Sequence, residues 1–164
     1  MSSRGVTRSV LMLLAAAFCG CAAAMLDVVS PVPMEVPSVT LAIHDDTAGD
    51  VSPDQMRDFK RTITRQLIGS GIEVLPSARR GSVLLVGSVL RFDPGIRALR
   101  FVSRYGFGTG ALESEWDVED GRGNVIARCR IAGSVSTGTF GGSFADVQEE
   151  TGKALARFLK GEIQ

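Results

Sequence analysis

A glycine-rich stretch, Arg104 to Ala111 (RYGFGTGA), is where residue type and spacing in this sequence come closest to a binding chemistry. Gly106, Gly108 and Gly110 occupy every second position, and a glycine loop cradles phosphate when it follows a strand and opens a helix. Here residues 112–118 alternate as a strand does, and no lysine follows as in a P-loop. The three glycines are therefore interpreted as structural, allowing a bulge, a bend or a close backbone approach. Phosphate binding is the alternative.

Three arginines precede this block: Arg97, Arg100 and Arg104. On a helix they would share one face and form a basic stripe suited to phosphate head groups or an acidic partner. On a loop they would scatter over a solvated surface. They are the candidate partner-binding residues of the chain. Together with Tyr105 they are also the nearest candidates for an enzyme site, so an enzyme of cell-envelope metabolism is the alternative function.

Residues for other catalytic chemistry are scarce. His44 is the single histidine, Cys129 falls on the apolar side of its strand, and no G-x-S-x-G elbow occurs. His44, Asp45 and Asp46 are consecutive on an extended segment, so their side chains point to alternate sides and make a poor zinc site. The sequence predicts no catalytic residue, no metal and no cofactor, and hence a protein that is not an enzyme.

The first residues predict export from the cytoplasm. Residues 1–20 carry Arg4 and Arg8, then an apolar run from Val10 to Phe18, and no acidic residue. This is the layout of a secretory signal peptide. The apolar run is about half of the ~20 residues that a transmembrane helix needs. A cleaved signal peptide is therefore favoured over a permanent membrane span.

Gly20 and Cys21 resemble the lipobox of bacterial lipoproteins, in which a small residue directly precedes the acylated cysteine. The resemblance implies cleavage before Cys21 and acylation of that residue with palmitate-type chains, several of which together hold a protein stably at a membrane. Because Ala22 rather than an aspartate follows, it also implies an outer-membrane lipoprotein that faces the periplasm. Cleavage after an A-x-A site such as residues 22–24, with release of the chain, is the alternative.

The charge balance excludes one class of partner. The whole chain has 18 lysine and arginine residues against 18 acidic residues, and removal of Arg4 and Arg8 with the signal leaves a small acidic excess. Nucleic-acid-binding domains carry a basic footprint instead, so we expect no nucleic acid partner. The chain that remains has the length of one typical domain.

The exported chain divides into two parts. Residues 21–37 contain three prolines and no helical period, and they predict a lipidated N-terminus and an extended tether. Residues 38–164 predict a single α+β periplasmic domain. Within it, alternation predicts a strand at 39–43, Ser52 and Gln55 predict a capping box at a helix start, and Gly69 predicts the helix end. Further strands are expected at 72–75 and at 82–92, the second of them central in the sheet.

A charged hairpin and a last helix complete the domain. In residues 112–118 we expect apolar residues and Ser114 to face inward, in alternation with carboxylates that face outward. In residues 125–131 we expect Arg128 and Arg130 to face outward, and Val125 and the apolar residues that follow it to face inward. We interpret the charges as solvated cross-strand pairs rather than as a metal site. Ser143 starts a helix that runs to Leu159. The predicted fold is α+β, a mostly antiparallel sheet of about five strands with two helices on one face, in the order β-α-β-β-β-β-α.

The second half resembles a family of bacterial lipoproteins grouped as domain of unknown function 4410. The resemblance rests on the arginine-rich turn at 97–100, the G-F-G-x-G stretch at 106–110, the strands either side of 120–123, the glycine-rich loop at 139–143 and the final helix. It extends over residues 39–161 and departs from the family's pattern at Glu119–Gly123, where the turn is altered. The family implies a lipoprotein and brings no established activity.

The sequence therefore predicts a lipid-anchored envelope protein without catalytic function. We expect a binding or scaffold module whose lipid anchor is on Cys21 and whose domain contacts another envelope protein or a polysaccharide.

Overall fold

The computed structural model of the chain describes residues 22–47, 49–79, 81–95, 110–135 and 143–163. These residues form six strands and two helices. The strands are β1 (Ala22–Ser30), β2 (Ser38–Asp45), β3 (Glu73–Leu75), β4 (Val83–Asp93), β5 (Ala111–Glu119) and β6 (Val125–Val135), and the helices are α1 (Pro53–Gly69) and α2 (Phe144–Leu159).

All six strands belong to one sheet, in the order β1-β6-β5-β4-β2-β3. The pairs β1–β6, β6–β5 and β5–β4 are antiparallel, whereas β2 runs parallel to both β4 and β3. The α+β class with two helices is confirmed. The sheet has six strands rather than about five. It is mixed, with three antiparallel and two parallel pairings, because α1 carries the chain back across the sheet and lets β3 and β4 run parallel to β2.

The additional strand is β1, in the segment expected to be a tether. It pairs with β6 from Ala22 opposite Val135 to Val28 opposite Cys129. The residues that follow are also attached to the domain, since Val36 is buried and its backbone N–H donates to the carbonyl of Leu159 at 3.0 Å. In the structure, the segment from Ala22 to Val36 is therefore attached to the folded domain. Burial of one face of β1 against α2 and the core is the physical reason.

The core lies between the sheet and the two helices. The inward side chains of β5 are buried as predicted, and Trp116 is fully enclosed. On α1, Phe59, Ile63 and Leu67 form the buried stripe that the helical spacing predicts. Val125 is an exception: it was expected to face inward but is 46% exposed, because it lies at the end of β6 next to an irregularity in the pairing with β5.

Both helices begin as predicted. Ser52 and Gln55 form a complete capping box at α1, and Ser143 forms one with Asp146 at α2. In each box a side-chain oxygen accepts a backbone N–H that the helix leaves free. Gly71, which follows α1, has a positive φ of 86° that favours glycine.

Three glycines allow the layers to approach closely. A Cβ at Gly87 would overlap the ring of Trp116, and one at Gly133 would overlap Val147 of α2. A Cβ at Gly152 would lie 2.7 Å from the Cβ of Gln66, where α2 meets α1. These positions fix how the Trp116 ring lies on the sheet and how the helices lie against it and each other.

Candidate functional site

The most organised polar surface is the outward face of the hairpin formed by β5 and β6. Arg128 makes a two-bond contact with Asp117, with Nε–Oδ1 and Nη2–Oδ2 distances of 2.5 and 2.8 Å. Next to it, Arg130 Nε lies 2.6 Å from Glu115 Oε2. The strands place these residues opposite each other in register, so the predicted pairing of an acidic and a basic strand face is confirmed.

This pairing decides what the outward carboxylates can do. The pKa of Arg128 is raised, chiefly by its hydrogen bonds to Asp117 and further by the charges of Asp117 and Glu115. Carboxylates engaged by guanidinium groups are poor metal ligands. Among the residues that the structure describes, no three His, Cys, Asp or Glu side chains come together as a metal site would require.

The turn of the hairpin is closed by Asp120. Its carboxylate accepts from the backbone N–H of Arg122 at 2.8 Å, and from the backbone and side-chain amides of Asn124 at 3.0 and 2.9 Å. These hydrogen bonds, that from the Asn124 side chain first, lower the pKa of Asp120. Gly123 supplies the positive φ of 81° that this turn needs. Residues Glu119–Gly123 thus form an ordered turn in which Asp120 has a structural role.

The candidates for a nucleophile and a base lie apart. Cys129 is fully buried beneath the hairpin, and desolvation, helped by the charges of Asp117 and Glu115, raises the pKa of its thiol to about 12. The thiolate required for attack is therefore scarce at neutral pH. His44 is exposed at the end of β2, on a different strand from Cys129 and outside the core.

The acidic residues next to His44 also have local partners. The carboxylate of Asp45 accepts from the N–H and the hydroxyl of Thr47 at 3.0 and 2.5 Å. The side-chain bond of Thr47 is the main reason why the pKa of Asp45 is lowered. This arrangement stabilises the chain where it leaves β2, and it does not assemble His44, Asp45 and Asp46 around one point.

The described surface has two notable depressions. One, of about 720 Å³, lies between residues 78–79 and 81–84 and the turn at 119–123, and Arg79, Glu119 and Asp120 are among the residues that line it. The other, of about 300 Å³, lies on the outward face over Ala132, between Met25 and Leu90. Neither has a histidine or a cysteine among its described lining residues.

Most residues singled out from the sequence lie outside the described part of the chain: Cys21, Arg97, Arg100, Arg104, Tyr105, Gly106 and Gly108. Gly110 is described. A Cβ on it would lie 3.0 Å from the carbonyl oxygen of Asp93 and 3.2 Å from that of Pro94. Its own carbonyl accepts from the N–H of Val135 at 3.0 Å. Gly110 thus makes a close backbone approach, which is one of the structural roles considered for the glycine block.

The strand register shows where these segments leave the sheet. Ala22 lies opposite Val135, Ala111 opposite Ser134, and Asp93 opposite Ala111. We call the end of the sheet formed by Ala22, Asp93, Ala111 and Val135 the Ala22 end, and the opposite end, with residues 120–124, the turn end. Residue 21, segment 96–109 and segment 136–142 all join the described chain at or next to the Ala22 end.

Comparison with known proteins finds a similar fold among solved structures. No protein-family model and no curated protein matches the chain. A variant of PelC from Paraburkholderia phytofirmans, a dodecamer, superposes with a TM-score of 0.57 at 16% identity, over 85% of this chain and 99% of PelC. The chain is similar to PelC in fold. A second PelC dodecamer gives a TM-score of 0.52 at 14% identity, over 84% of this chain and 98% of PelC.

The similarity concerns the arrangement of the described elements. At 14–16% identity it shows a shared fold, and a shared fold does not by itself transmit an activity. None of the described helices is long and apolar enough to cross a membrane.

Proposed function

We propose that the protein is a bacterial lipoprotein, anchored through Cys21 to the outer membrane on its periplasmic side, and that its domain is a non-catalytic binding or scaffold module. The observation that carries the second part is the engagement of the polar groups. Asp117 and Glu115 are held by Arg128 and Arg130, Asp120 is held by its own turn, and Cys129 is buried with its thiol protonated. A domain built in this way presents surfaces rather than reactive groups.

The comparisons support a module that works through contacts with other proteins. The PelC structures that share this fold are dodecamers, and we extend contacts between copies to this chain as part of the proposal. The resemblance to the lipoproteins of domain of unknown function 4410 supports the anchor. Arg97, Arg100 and Arg104 remain the proposed residues for an envelope protein or polysaccharide partner.

The anchor is tested by two matched cysteine substitutions. We expect Cys21→Ala to leave the precursor uncleaved by the lipoprotein peptidase and to abolish labelling by a palmitate analogue, whereas Cys19→Ala should leave both processes intact. Processing and labelling of the Cys21→Ala protein would show that the lipobox interpretation is wrong.

The scaffold role is tested in the native envelope. After chemical cross-linking of cells, purification of the lipidated protein should recover a reproducible partner or higher multiples of its own chain. Recovery of abundant porins alone, in the same amounts as with an unrelated lipoprotein, would contradict this role. A triple Arg97→Ala, Arg100→Ala, Arg104→Ala variant should lose the partner while remaining in the membrane.

A further inference from the structure

The start of β1 leaves almost no free chain between the domain and residue 21. Ala22 is the first residue of β1 and already lies opposite Val135 in the ladder with β6. One residue spans at most about 3.6 Å. Whatever holds the backbone of Cys21 therefore also holds the Ala22 end of the sheet.

The strand is integrated into the domain and does not serve as a spacer. Its inward residues, Ala22, Ala24, Leu26 and Val28, pack against the buried core, and α2 covers it. Because every residue from Ala22 to Val28 has a partner on β6, releasing the strand to gain length would break a continuous ladder and expose apolar surface. The 16 residues from 22 to 37 that the sequence offered as a tether are thus not available as one.

We propose that the Ala22 end of the sheet faces the lipid bilayer and that the turn end is directed away from it. This inference rests on the proposed acylation of Cys21 and adds an orientation to it. Since β5 has nine residues from Ala111 to Glu119 and a strand rises about 3.3 Å per residue, the turn end would stand roughly 30 Å further from the lipid than the Ala22 end.

The described charges at this end do not provide the attraction. Asp45, Asp46, Asp93 and Asp146 lie at or near it, and carboxylates are not drawn to anionic lipids. The contact follows from the covalent attachment, with the acyl chains as the source of affinity. Neutral phosphatidylcholine vesicles are the appropriate test surface, because they remove attraction between basic side chains and anionic lipids and leave the anchor as the source of the orientation.

The orientation can be measured by energy transfer in the lipidated full-length mature protein. A donor dye is placed either at Ala145→Cys, in the exposed first turn of α2 near the Ala22 end, or at Arg122→Cys, in the exposed turn. The acceptor is a dye on lipid head groups of the vesicle. Native Cys129 does not compete for the label, since it is buried and the pKa of its thiol is about 12. We expect several-fold more efficient transfer from position 145 than from position 122.

The matched control inserts a flexible 16-residue Gly/Ser segment between Cys21 and Ala22. Such a linker has a root-mean-square reach of roughly 20–25 Å, which would let the domain tumble, so the two positions should give nearly equal transfer. Equal transfer without the insertion, in protein shown by mass spectrometry to be acylated, would overturn the orientation and leave the lipoprotein proposal standing. A Cys21 without acyl chains would overturn both.

Discussion

Strands β1 and β5 pair with β6 from opposite sides, but different interactions hold β1 and the β5–β6 hairpin in place. The hairpin joins residues that are close in sequence, is closed by the Asp120 turn, and carries two short arginine–carboxylate contacts on its outward face. Strand β1 pairs across more than a hundred residues, as Val28 with Cys129. None of the ion pairs found among the described residues involves it.

This difference has an entropic consequence. The free energy required to close a loop grows as about (3/2)RT ln n, so the pairing of Val28 with Cys129 costs about 2 kcal/mol more than the pairing of Val118 with Ala127. Strand β1 must recover that difference from its apolar inward face and its ladder. We therefore infer that the hairpin is the stable part of the sheet and that β1 is the part most ready to open, although β1 adjoins the proposed anchor.

The largest effect should come from the centre of the hairpin. Trp116 is fully buried and its indole N–H donates to the hydroxyl of Ser114 at 2.9 Å. Trp116→Ala would leave a large cavity and remove the donor from the Ser114 hydroxyl, and we expect it to lower the free energy of unfolding by about 3–5 kcal/mol. Urea denaturation of the unlipidated domain measures this. Val125→Ala, at an exposed position of the same hairpin, is the control and should change it by less than about 0.5 kcal/mol.

A smaller effect of a different kind is expected from β1. Leu26 packs against the core but is only half-buried, so Leu26→Ala should cost about 1–2 kcal/mol, below the range for fully buried leucines. Because Val28 of β1 lies opposite Cys129 in the ladder with β6, local opening of β1 should expose the Cys129 thiol. We expect the substitution to speed the labelling of Cys129 by a thiol reagent in native buffer, in proportion to the loss of β1 stability.

The matched measurement is hydrogen exchange on the same variant. Amide protons of β1 should exchange faster than in the parent protein, while those shared between β5 and β6 should change only as much as global stability does. Equal acceleration in both places would contradict the idea that β1 opens independently of the hairpin.

How far the sequence predicted these two regions follows from the same contrast. In residues 112–118 every second side chain is charged, so the period of two is unmistakable, and the Asp120-Gly121 pair indicates the turn. In residues 22–30 both faces are built from alanine, methionine, leucine and valine, with Asp27 as the only charge. Alternation cannot be recognised without a contrast in polarity, and the partner strand is distant in sequence. Only the pairing with β6 in the folded structure shows that this segment is a strand.

The candidate site divides in a similar way. The arginine–carboxylate pairs of the hairpin could be predicted from spacing, because cross-strand neighbours follow from the register of a short hairpin. The convergence of Ala22 with the ends of β4, β5 and β6 could not, since it depends on the sheet order. The close packing at Gly87 and Gly133 could not be predicted either, because the sequence around a strand glycine does not indicate which ring or helix packs against it.

The next expected effect concerns the charged pairs on the outward face of the hairpin. The Arg128–Asp117 contact is bidentate but partly exposed, with 38% and 21% of the two side chains accessible. A double-mutant cycle with Arg128→Ala and Asp117→Ala should therefore give a coupling of about 0.3–1 kcal/mol, decreasing in high salt. Coupling between Asp27→Ala and Arg130→Ala, which face each other across β1 and β6, should be smaller because Arg130 is already engaged by Glu115. A larger coupling for the second pair would show that β1 is held by charge after all.

The smallest effect concerns the contribution of the hairpin turn to stability at low pH. The pKa of Asp120 in the folded protein is lowered from 3.8, first by the hydrogen bond from the Asn124 side chain and then by backbone N–H groups. A carboxylate with a lowered folded pKa stabilises the fold at pH values above its unfolded pKa, and that contribution disappears as the pH falls through the folded pKa. Stability should therefore decline as the pH falls below 3.8, with a part of the decline due to Asp120.

In Asp120→Asn the side-chain oxygen can still accept the backbone N–H groups but no longer titrates, so the variant should be slightly less stable at pH 7 and should show a shallower decline in acid. Since β1 contributes no part of this turn, its hydrogen exchange should follow the same pH dependence in the parent and the variant once global stability is taken into account. An unchanged acid profile in Asp120→Asn would show that the hydrogen bonds of the turn do not stabilise the hairpin relative to the unfolded chain.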